Sequence, residues 1–384
     1  LYDGVGNLSA TQDVTGQLSQ VFQYDGAHRL VRAFSWNDSA INYDEGYEYD
    51  AAGNLTRTGD KRFVYAGSGL GSHALATASS EASGAPLGSY GYDARGSVIR
   101  RSEGGTELHF ARDADGRIAH VCSSAPCSSA NDLASYSYDE SGERLRKVTA
   151  TQHTLYVDPS YEVDLASATH DVHFFVASTR VATARFSGYG SVLSPGSYSG
   201  ETLYYHPDHV GTNAVVSDQD GAVVQRNHQR PFGDWIQPPT PTSETPYGFV
   251  DQERDPETGL DYFHARYYDS WSGRFLSGDP ELHGGVTFER IERDPLQNSA
   301  YGYALNRPTV LADPTGPSVV CDGPCGGTGR GTAGSGVDAP FPVEEVEHEA
   351  LSDGEGNVLS VPWPVGWTPE PSAAGASGAV GAIA

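Results

Sequence analysis

Three carboxylates near the C-terminal end of the chain have residue types and spacing that could support hydrolysis. They are Asp279, Asp294 and Asp313. Two carboxylates held close together cannot both ionise easily, so one of them keeps a proton. Such a pair can activate water or polarise an amide, as in aspartic proteases. The sequence therefore contains a candidate aspartyl site that would act on a peptide bond.

Structural roles also explain the same three residues. Asp294 and Pro295 look like the N-cap and first position of a helix over 296–305. The segment Asp313-Pro-Thr-Gly316 has Asp, Pro and Gly where a type I turn prefers them, and Asp279-Pro280 is also a plausible turn. From the residues alone, the structural interpretation of these carboxylates is the stronger one.

Other candidate sites favour structure over chemistry. His206, Asp208 and His209 could hold a metal ion, but only three candidate ligands cluster there, so a structural role is favoured. The segments 113–116 and 218–221 resemble calcium loops but lack the later Glu, and we interpret them as hairpin turns. No glycine-rich stretch is followed by Lys-Ser/Thr, and no Gly-x-Ser-x-Gly occurs. The sequence predicts neither a cofactor nor a metal.

The four cysteines form two close pairs, Cys122 with Cys127 and Cys321 with Cys325, each in a loop rich in Ser, Pro or Gly. Two local disulfides of an exported protein are the favoured interpretation. A four-cysteine zinc site and four free thiols remain as alternatives, although neither spacing is that of a zinc knuckle.

Composition indicates many short strands and tight turns. The 384 residues include 46 Gly and 22 Tyr, and only 38% are apolar. The net charge of −26 repels phosphate backbones, so we expect no nucleic-acid partner. No apolar run is long enough for a transmembrane helix. The chain begins at Leu1 without any Met and is interpreted as a fragment, so a missing signal peptide says nothing about export.

Residues 1 to about 150 contain an internal repeat with the pattern Tyr-Asp-x-x-Gly-Asn/Arg-Leu. Its clearest copies begin at Tyr2, Tyr24, Tyr49, Tyr92 and Tyr138. We expect each unit to be a β-hairpin in which Asp accepts hydrogen bonds from the turn backbone and Gly adopts a positive φ. One hairpin buries too little surface to be stable, so neighbouring units must stack. The segments 67–86 and 123–131 are predicted to be surface loops, and strands return over 154–185.

The repeat and the segment that follows it resemble the YD-repeat shell and the RHS-repeat-associated core of bacterial polymorphic toxins and insecticidal toxin complexes. The core motifs are found in the family's order within residues 204–316. They are Tyr204-Tyr-His-Pro-Asp-His-Val-Gly-Thr212, Arg230-Pro-Phe-Gly233, Glu257-Thr-Gly-Leu-Asp-Tyr-Phe-His-Ala-Arg-Tyr-Tyr-Asp269, Gly273-Arg-Phe-Leu-Ser-Gly-Asp-Pro280 and Ala312-Asp-Pro-Thr-Gly316.

This resemblance implies an all-β fold in which YD-repeat hairpins wind into a spiral shell. It divides the chain into a shell region at 1–200, a core that closes the shell at 201–316, and a variable tail at 317–384. The tail is rich in Gly, Pro, Ala and acidic residues. We therefore expect it to be a linker or a disordered segment.

The resemblance also implies that paired acidic residues cut the chain just after Asp313-Pro-Thr-Gly316. Arg274 and Asp279 match the family's motif, whereas the second carboxylate is ambiguous between Asp294 and Asp313. The chain departs from the pattern after Gly316, where the family has a large apolar residue and this sequence has Pro317. The departure predicts that self-cleavage is slow or lost.

The predicted function is to enclose or present a C-terminal cargo or toxin, which would be the chain's main partner, with aspartyl self-cleavage as its only enzymatic activity. The protein would be secreted or lie on a bacterial cell surface. The alternative is a surface-binding or adhesion module, with a cell-surface or carbohydrate partner and a shell that performs no catalysis.

Overall fold

A computed structural model describes residues 1–13, 17–36, 40–66, 72–187, 200–239, 245–280, 299–316 and 320–321. Strands dominate these residues, which confirms the predicted all-β class. The first group of strands is Ala10–Thr11 (β1), Gln20–Tyr24 (β2), Leu30–Ser35 (β3), Asp44–Tyr49 (β4), Leu55–Thr58 (β5), Lys61–Tyr65 (β6), Leu75–Ser80 (β7), Pro86–Tyr92 (β8), Val98–Glu103 (β9), Thr106–Arg112 (β10), Ile118–Cys122 (β11), Asp132–Tyr138 (β12), Arg144–Thr149 (β13), His153–Asp158 (β14), Tyr161–Asp164 (β15), Thr169–Val176 (β16), Thr179–Ser187 (β17), Glu201–Pro207 (β18), Asn213–Ser217 (β19) and Val223–Arg226 (β20).

These twenty strands form one antiparallel sheet, which we call the wall. Each strand pairs with the next one along the chain, from β1 with β2 to β19 with β20. The sheet is thus a continuous meander that extends to Arg226, so β18–β20 lie inside the segment that the sequence assigns to the core. Pairing between sequence neighbours needs only short turns, which the repeated Asp-x-x-Gly motif supplies.

The turn of the repeat has the predicted geometry. Asp50 shows it: its Oδ1 accepts hydrogen bonds from the backbone nitrogens of Ala52 and Asn54, both at 2.9 Å. Gly53 closes this turn with a φ of +82°, a conformation that costs glycine little. The same pair of contacts, to residues two and four positions later, is made by Asp25, Asp93, Asp113, Asp208 and Asp218. The interpretation of 113–116 and 218–221 as hairpin turns is confirmed.

The tyrosine of the repeat links one unit to another. Tyr49 Oη donates to the carbonyl oxygen of Leu30 at 2.7 Å. Equivalent bonds are Tyr24 to Leu8, Tyr65 to Leu55, Tyr92 to Leu75 and Tyr138 to Ile118, at 2.6–2.8 Å. The recurring tyrosine therefore stacks the hairpins as well as ending a strand.

A second, four-stranded sheet lies against the wall. Its strands are Glu253–Asp255 (β21), Leu260–Phe263 (β22), Arg266–Asp269 (β23) and Arg274–Phe275 (β24). Two 3-10 turns flank it, Phe249–Asp251 and Ala304–Asn306, and Leu311–Ala312 (β25) pairs with Val320–Cys321 (β26). We call the described residues from Gln229 to Gly316 the plug.

Aromatic residues make the plug the centre of the hydrophobic core. Tyr268 and Phe263 are fully buried, and the Tyr268 ring lies 5.3 Å from Phe275 and 4.9 Å from Tyr303. The apolar side chains of β2–β12 belong to the same cluster. Burial of this surface is the largest stabilising contribution to the plug–wall contact.

Charged residues add to that contact along much of the wall. The ion pairs are Lys61–Asp234 at 2.9 Å, Arg101–Asp269 at 3.1 Å, Arg144–Asp255 at 2.9 Å, Lys147–Asp255 at 2.6 Å and Arg180–Asp251 at 3.1 Å. Each of these pairs has its cation on the wall and its carboxylate on the plug. Strands β6, β9, β13 and β17 thus each reach the same plug, and the wall forms a shell around it.

The structure settles part of the cysteine prediction. Cys122 and Cys127 form a disulfide, with their Cα atoms 5.5 Å apart. These two residues and Asp132 are the only metal-type cluster among the described residues, and their sulfurs are bonded to each other. Cys325 lies outside the described residues, so the second predicted pair stays a prediction. No helix in the described part of the chain is long and apolar enough to cross a bilayer.

Two local predictions were wrong in part. The predicted surface loop 67–86 contains strand β7, because its apolar residues Leu75 and Ala78 pack into the core and are each 2% exposed. The predicted helix 296–305 is absent over its described part, where residues 300–301 form a turn, Gly302 makes an antiparallel bridge with Arg274, and the 3-10 turn follows. Most of the predicted disordered tail lies outside the described residues.

Candidate functional site

Two of the three candidate carboxylates meet at one guanidinium group. Nη2 of Arg266 lies 3.2 Å from Oδ2 of Asp313 and 3.6 Å from Oδ2 of Asp279. Arg266 and Asp313 are buried, while the side chain of Asp279 is 20% exposed. The structure therefore brings together two acids that are 34 positions apart and leaves one of them open to solvent.

The plug fixes the position of the arginine. Arg266 is the first residue of β23, and its guanidinium lies 3.6 Å from the centre of the Phe275 ring on the next strand. The carbonyl oxygen of Ala300 accepts a hydrogen bond from Arg266 Nη1 at 3.2 Å and from the Asp279 backbone nitrogen at 2.9 Å. One carbonyl thus aligns the arginine and the segment that carries the partly exposed Asp279.

The turn at 313–316 is fixed against the start of the same strand. Gln252 Nε2 donates to the carbonyl oxygen of Pro314 at 3.2 Å, and the Ala265 nitrogen donates to that of Thr315 at 3.3 Å. Gly316 has a φ of +91°, and a Cβ there would lie 2.7 Å from the carbonyl oxygen of Phe263. Only glycine fits this approach, so the motif's last residue is held beside the backbone of the arginine that binds both acids.

The other two sequence candidates lie elsewhere. Arg274 donates to Tyr65 Oη at 3.0 Å and to the carbonyl oxygen of His73 at 2.8 Å. Tyr65 ends β6 and His73 precedes β7, so Arg274 faces the wall. Its guanidinium also lies 4.8 Å from the Tyr65 ring centre. Asp294 lies outside the described residues.

Sequence reasoning missed Arg266. A signal for it existed, because this arginine lies within an aromatic segment, Tyr-Phe-His-Ala-Arg-Tyr-Tyr, where a charged residue before two tyrosines is unexpected. A buried guanidinium requires carboxylate or carbonyl partners. The partners themselves could not be read from the sequence, since they come from segments 13 and 47 positions further along.

A second arginine-bridged acid pair joins the wall to the plug. Arg101 Nη1 lies 3.1 Å from Asp269 and 3.6 Å from Glu103, and its Nη2 donates to the carbonyl oxygen of Thr258. Burial, together with the negative charge of Asp269, raises the pKa of Glu103 to about 8. Tyr90 Oη donates to Asp269 at 2.8 Å, which completes an enclosed network.

The predicted structural role of the His206–His209 segment agrees with its contacts. His206 pairs with the Ser217 hydroxyl at 2.9 Å, and His209 donates to the carbonyl oxygen of Thr309 at 2.8 Å. Asp208 caps its own turn. The three side chains have separate partners and do not converge on one point.

Together, the twenty-stranded wall, the aromatic plug and the repeated tyrosine turn define an all-β repeat shell closed around its own core. The sequence profile of the Teneurin YD-shell family matches residues 85–309. The chain belongs to this family and is an RHS/YD-repeat protein.

Curated toxin proteins are similar over most of the chain. Toxin protein Tse5 of Pseudomonas aeruginosa is 27% identical over 368 residues, which cover 82% of this chain and 26% of that protein. Toxin subunit YenC1 of Yersinia entomophaga is 26% identical over 306 residues, 73% of this chain and 30% of the subunit. The chain thus spans about a quarter of the length of these relatives.

Solved toxin-complex structures share the fold. The Photorhabdus luminescens Tc holotoxin pore, determined with a mutated TccC3, matches with a TM-score of 0.59 and 19% identity, over 84% of this chain and 17% of that one. The crystal structure of TcdB2-TccC3-TEV matches with a TM-score of 0.55 and 20% identity, over 82% of this chain and 17% of that one.

Proposed function

We propose that this chain is a toxin-type shell segment whose plug cuts the backbone just after Gly316 and so separates the shell from the chain that follows. The observation that carries this proposal is the meeting of Asp279 and Asp313 at Arg266, beside the turn that ends at Gly316. The segment released in this way would be the shell's cargo. Similarity to named toxins and toxin subunits supports a secreted, cargo-enclosing role.

The proposed chemistry is hydrolysis of one peptide bond. The reaction requires one carboxyl that is ionised and one that is protonated, and like-charge repulsion between two neighbouring carboxylates favours that state. The ionised carboxylate takes a proton from water while the water oxygen bonds to the carbonyl carbon. The C–N bond then breaks, and the departing nitrogen takes a proton from the protonated carboxyl. We assign the water-activating role to Asp279, because it is the partly exposed member of the pair.

Arg266 has two parts in this proposal. It holds both acids, and its positive charge would stabilise the negative charge that develops during attack on the carbonyl group. Arg274, the arginine that the sequence motif suggested, would instead hold the plug against the wall through Tyr65 and His73.

The proposal is tested by intact-mass spectrometry of the purified, folded chain over time. We expect a shell piece that ends at Gly316 or Pro317 and a complementary tail, because the motif's cut follows Gly316. Asp279→Asn keeps the side chain's shape but removes its charge, so the chain should stay whole. Cleavage should slow at high pH, where both carboxyls ionise.

Three further variants sharpen this test. Arg274→Gln should still cleave, whereas Asp313→Asn should not. Pro317→Leu places an apolar residue after Gly316 and should speed the cut if the proline is the obstacle. A folded wild type and a folded Pro317→Leu variant that both remain uncut would contradict self-cleavage and favour a surface-binding module with a purely structural shell.

A further inference from the structure

Strand β23 has two faces with different neighbours. Side chains alternate across a strand, so Tyr267 and Asp269 point one way while Arg266 and Tyr268 point the other. Tyr267 and Asp269 contact the wall, whereas Arg266 holds the acid pair. One four-residue strand thus joins the wall to the proposed cleavage site.

The contacts of Tyr267 with the wall are polar and buried. Its hydroxyl hydrogen-bonds to that of Tyr138 at 3.0 Å and accepts from Arg144 Nη1 at 3.3 Å. Tyr138 ends strand β12 and Arg144 begins strand β13, so both contacts come from the same hairpin. The Tyr267 side chain is 5% exposed and is packed against the ring of Tyr136, 5.6 Å away.

The same wall hairpin also meets the turn that precedes β23. Tyr262 Oη accepts a hydrogen bond from the Arg144 backbone nitrogen at 3.0 Å, and His264 pairs with Glu143 at 2.7 Å. This turn contacts the Asp313–Gly316 segment on its other side, through Ala265. The wall hairpin, the turn and the proposed cleavage segment therefore form one continuous set of contacts.

We propose that Tyr267 is a positioning residue, through which docking of the wall sets the place of Arg266 and hence the rate of self-cleavage. This inference rests on the proposed function above. The Cα atoms of neighbouring residues are about 3.8 Å apart, so a shift of Tyr267 moves Arg266 with it. Displacements of about 1 Å are enough to slow a catalysed step strongly. Cleavage would then report that the wall has closed around the plug.

The test uses Tyr267→Phe in the full chain, with Tyr156→Phe as the matched control. Tyr267→Phe removes the two hydroxyl contacts and keeps the ring. Tyr156 donates to Glu253 at 2.9 Å beside the same Arg144, but it does not touch β23. Both variants lose one hydrogen-bonded tyrosine hydroxyl and keep the ring, so we expect small losses of stability in both.

We expect Tyr267→Phe to cleave about 10-fold more slowly than wild type well below its melting temperature, while Tyr156→Phe cleaves at the wild-type rate. The slowing should be the same factor at every pH, because Tyr267 contacts neither acid. Equal slowing in both variants, or a displaced pH midpoint in Tyr267→Phe alone, would overturn the positioning role.

The assay separates this inference from the proposal beneath it. If the wild type and the Tyr267→Phe variant cleave at the same rate, the positioning role of Tyr267 is rejected and the proposed function stands. A folded wild type that does not cleave at all rejects the proposed function, and the inference falls with it.

Discussion

Among the arginine-bridged acid pairs of the described residues, the pairs at Arg266 and Arg101 are the closest match in geometry, but only the Arg266 pair adjoins a candidate substrate. Arg266 binds Asp279 and Asp313 within the plug, and Arg101 binds Asp269 and Glu103 across the plug–wall contact. The distances are almost the same in the two clusters. Their groups are also the same, with one guanidinium between two carboxyls.

The surroundings differ. Beside the Arg266 pair, the turn that ends at Gly316 brings its backbone close to the backbone of Phe263 and Arg266. Asp279 in this pair is partly exposed. Beside the Arg101 pair, Asp269 is fully buried and already bound by Tyr90 and Ser272. The comparison teaches that a cluster of acids becomes a candidate catalytic site when a backbone turn lies beside it and solvent reaches one of the acids, and otherwise serves as an ionic contact.

The largest expected difference between the pairs is in cleavage. Arg266→Gln removes the cation that holds both acids, and we expect self-cleavage to slow by at least about 100-fold, since lost electrostatic stabilisation commonly costs that much. Intact-mass time courses measure it, with circular dichroism to confirm folding. Wild-type cleavage in a folded Arg266→Gln variant would remove the distinction between the two pairs.

The Arg101 pair should matter for stability and not for cleavage. Arg101→Gln leaves Asp269 buried without its guanidinium, and we expect a loss of about 3 kcal/mol in the free energy of unfolding. Urea denaturation measures this loss. Molecules that remain folded should cleave at the wild-type rate, because Arg101 contacts neither Asp279 nor Asp313. Cleavage that disappears in folded Arg101→Gln would show that the two clusters act as one.

The smallest expected effect concerns the proton on Glu103. Its pKa is raised to about 8 from an ordinary 4.5, so the folded state binds more protons than the unfolded state between these values. Stability contributed by this group is therefore complete below pH 4.5 and is lost as the pH rises through about 8. Glu103→Gln cannot ionise and should melt about 2 °C higher than wild type at pH 9.

The control for this prediction is the same pair of proteins at pH 5, where wild-type Glu103 is protonated and the two melting temperatures should agree. Equal melting temperatures at both pH values would contradict the raised pKa of Glu103.

The repeat turns could be predicted from sequence because their interactions are local. Asp50 binds backbone nitrogens two and four residues away, and Gly53 needs its positive φ wherever that turn forms. Residue types at fixed spacing are enough to specify such a hairpin. The order of the core motifs likewise identified the family that the profile match shows.

The site was only half predictable. The sequence proposed Asp279 and Asp313 as candidates, and the structure places both at one nitrogen of Arg266. It offered Arg274 as the arginine, because a motif cannot tell which of two nearby arginines faces the acids. That choice depends on strand alternation and on the position of β23 between the wall and the rest of the plug.

By itself, the sequence determined the strand content, the hairpin turns and the family, since each depends on contacts within a few residues or on a repeated pattern. The tertiary structure alone decided which charges meet. Arg144 and Asp255 are 111 positions apart, and Tyr24 and Thr309 are 285 apart. Such pairs form only when hydrophobic burial has already brought the wall and the plug together, so no local pattern encodes them.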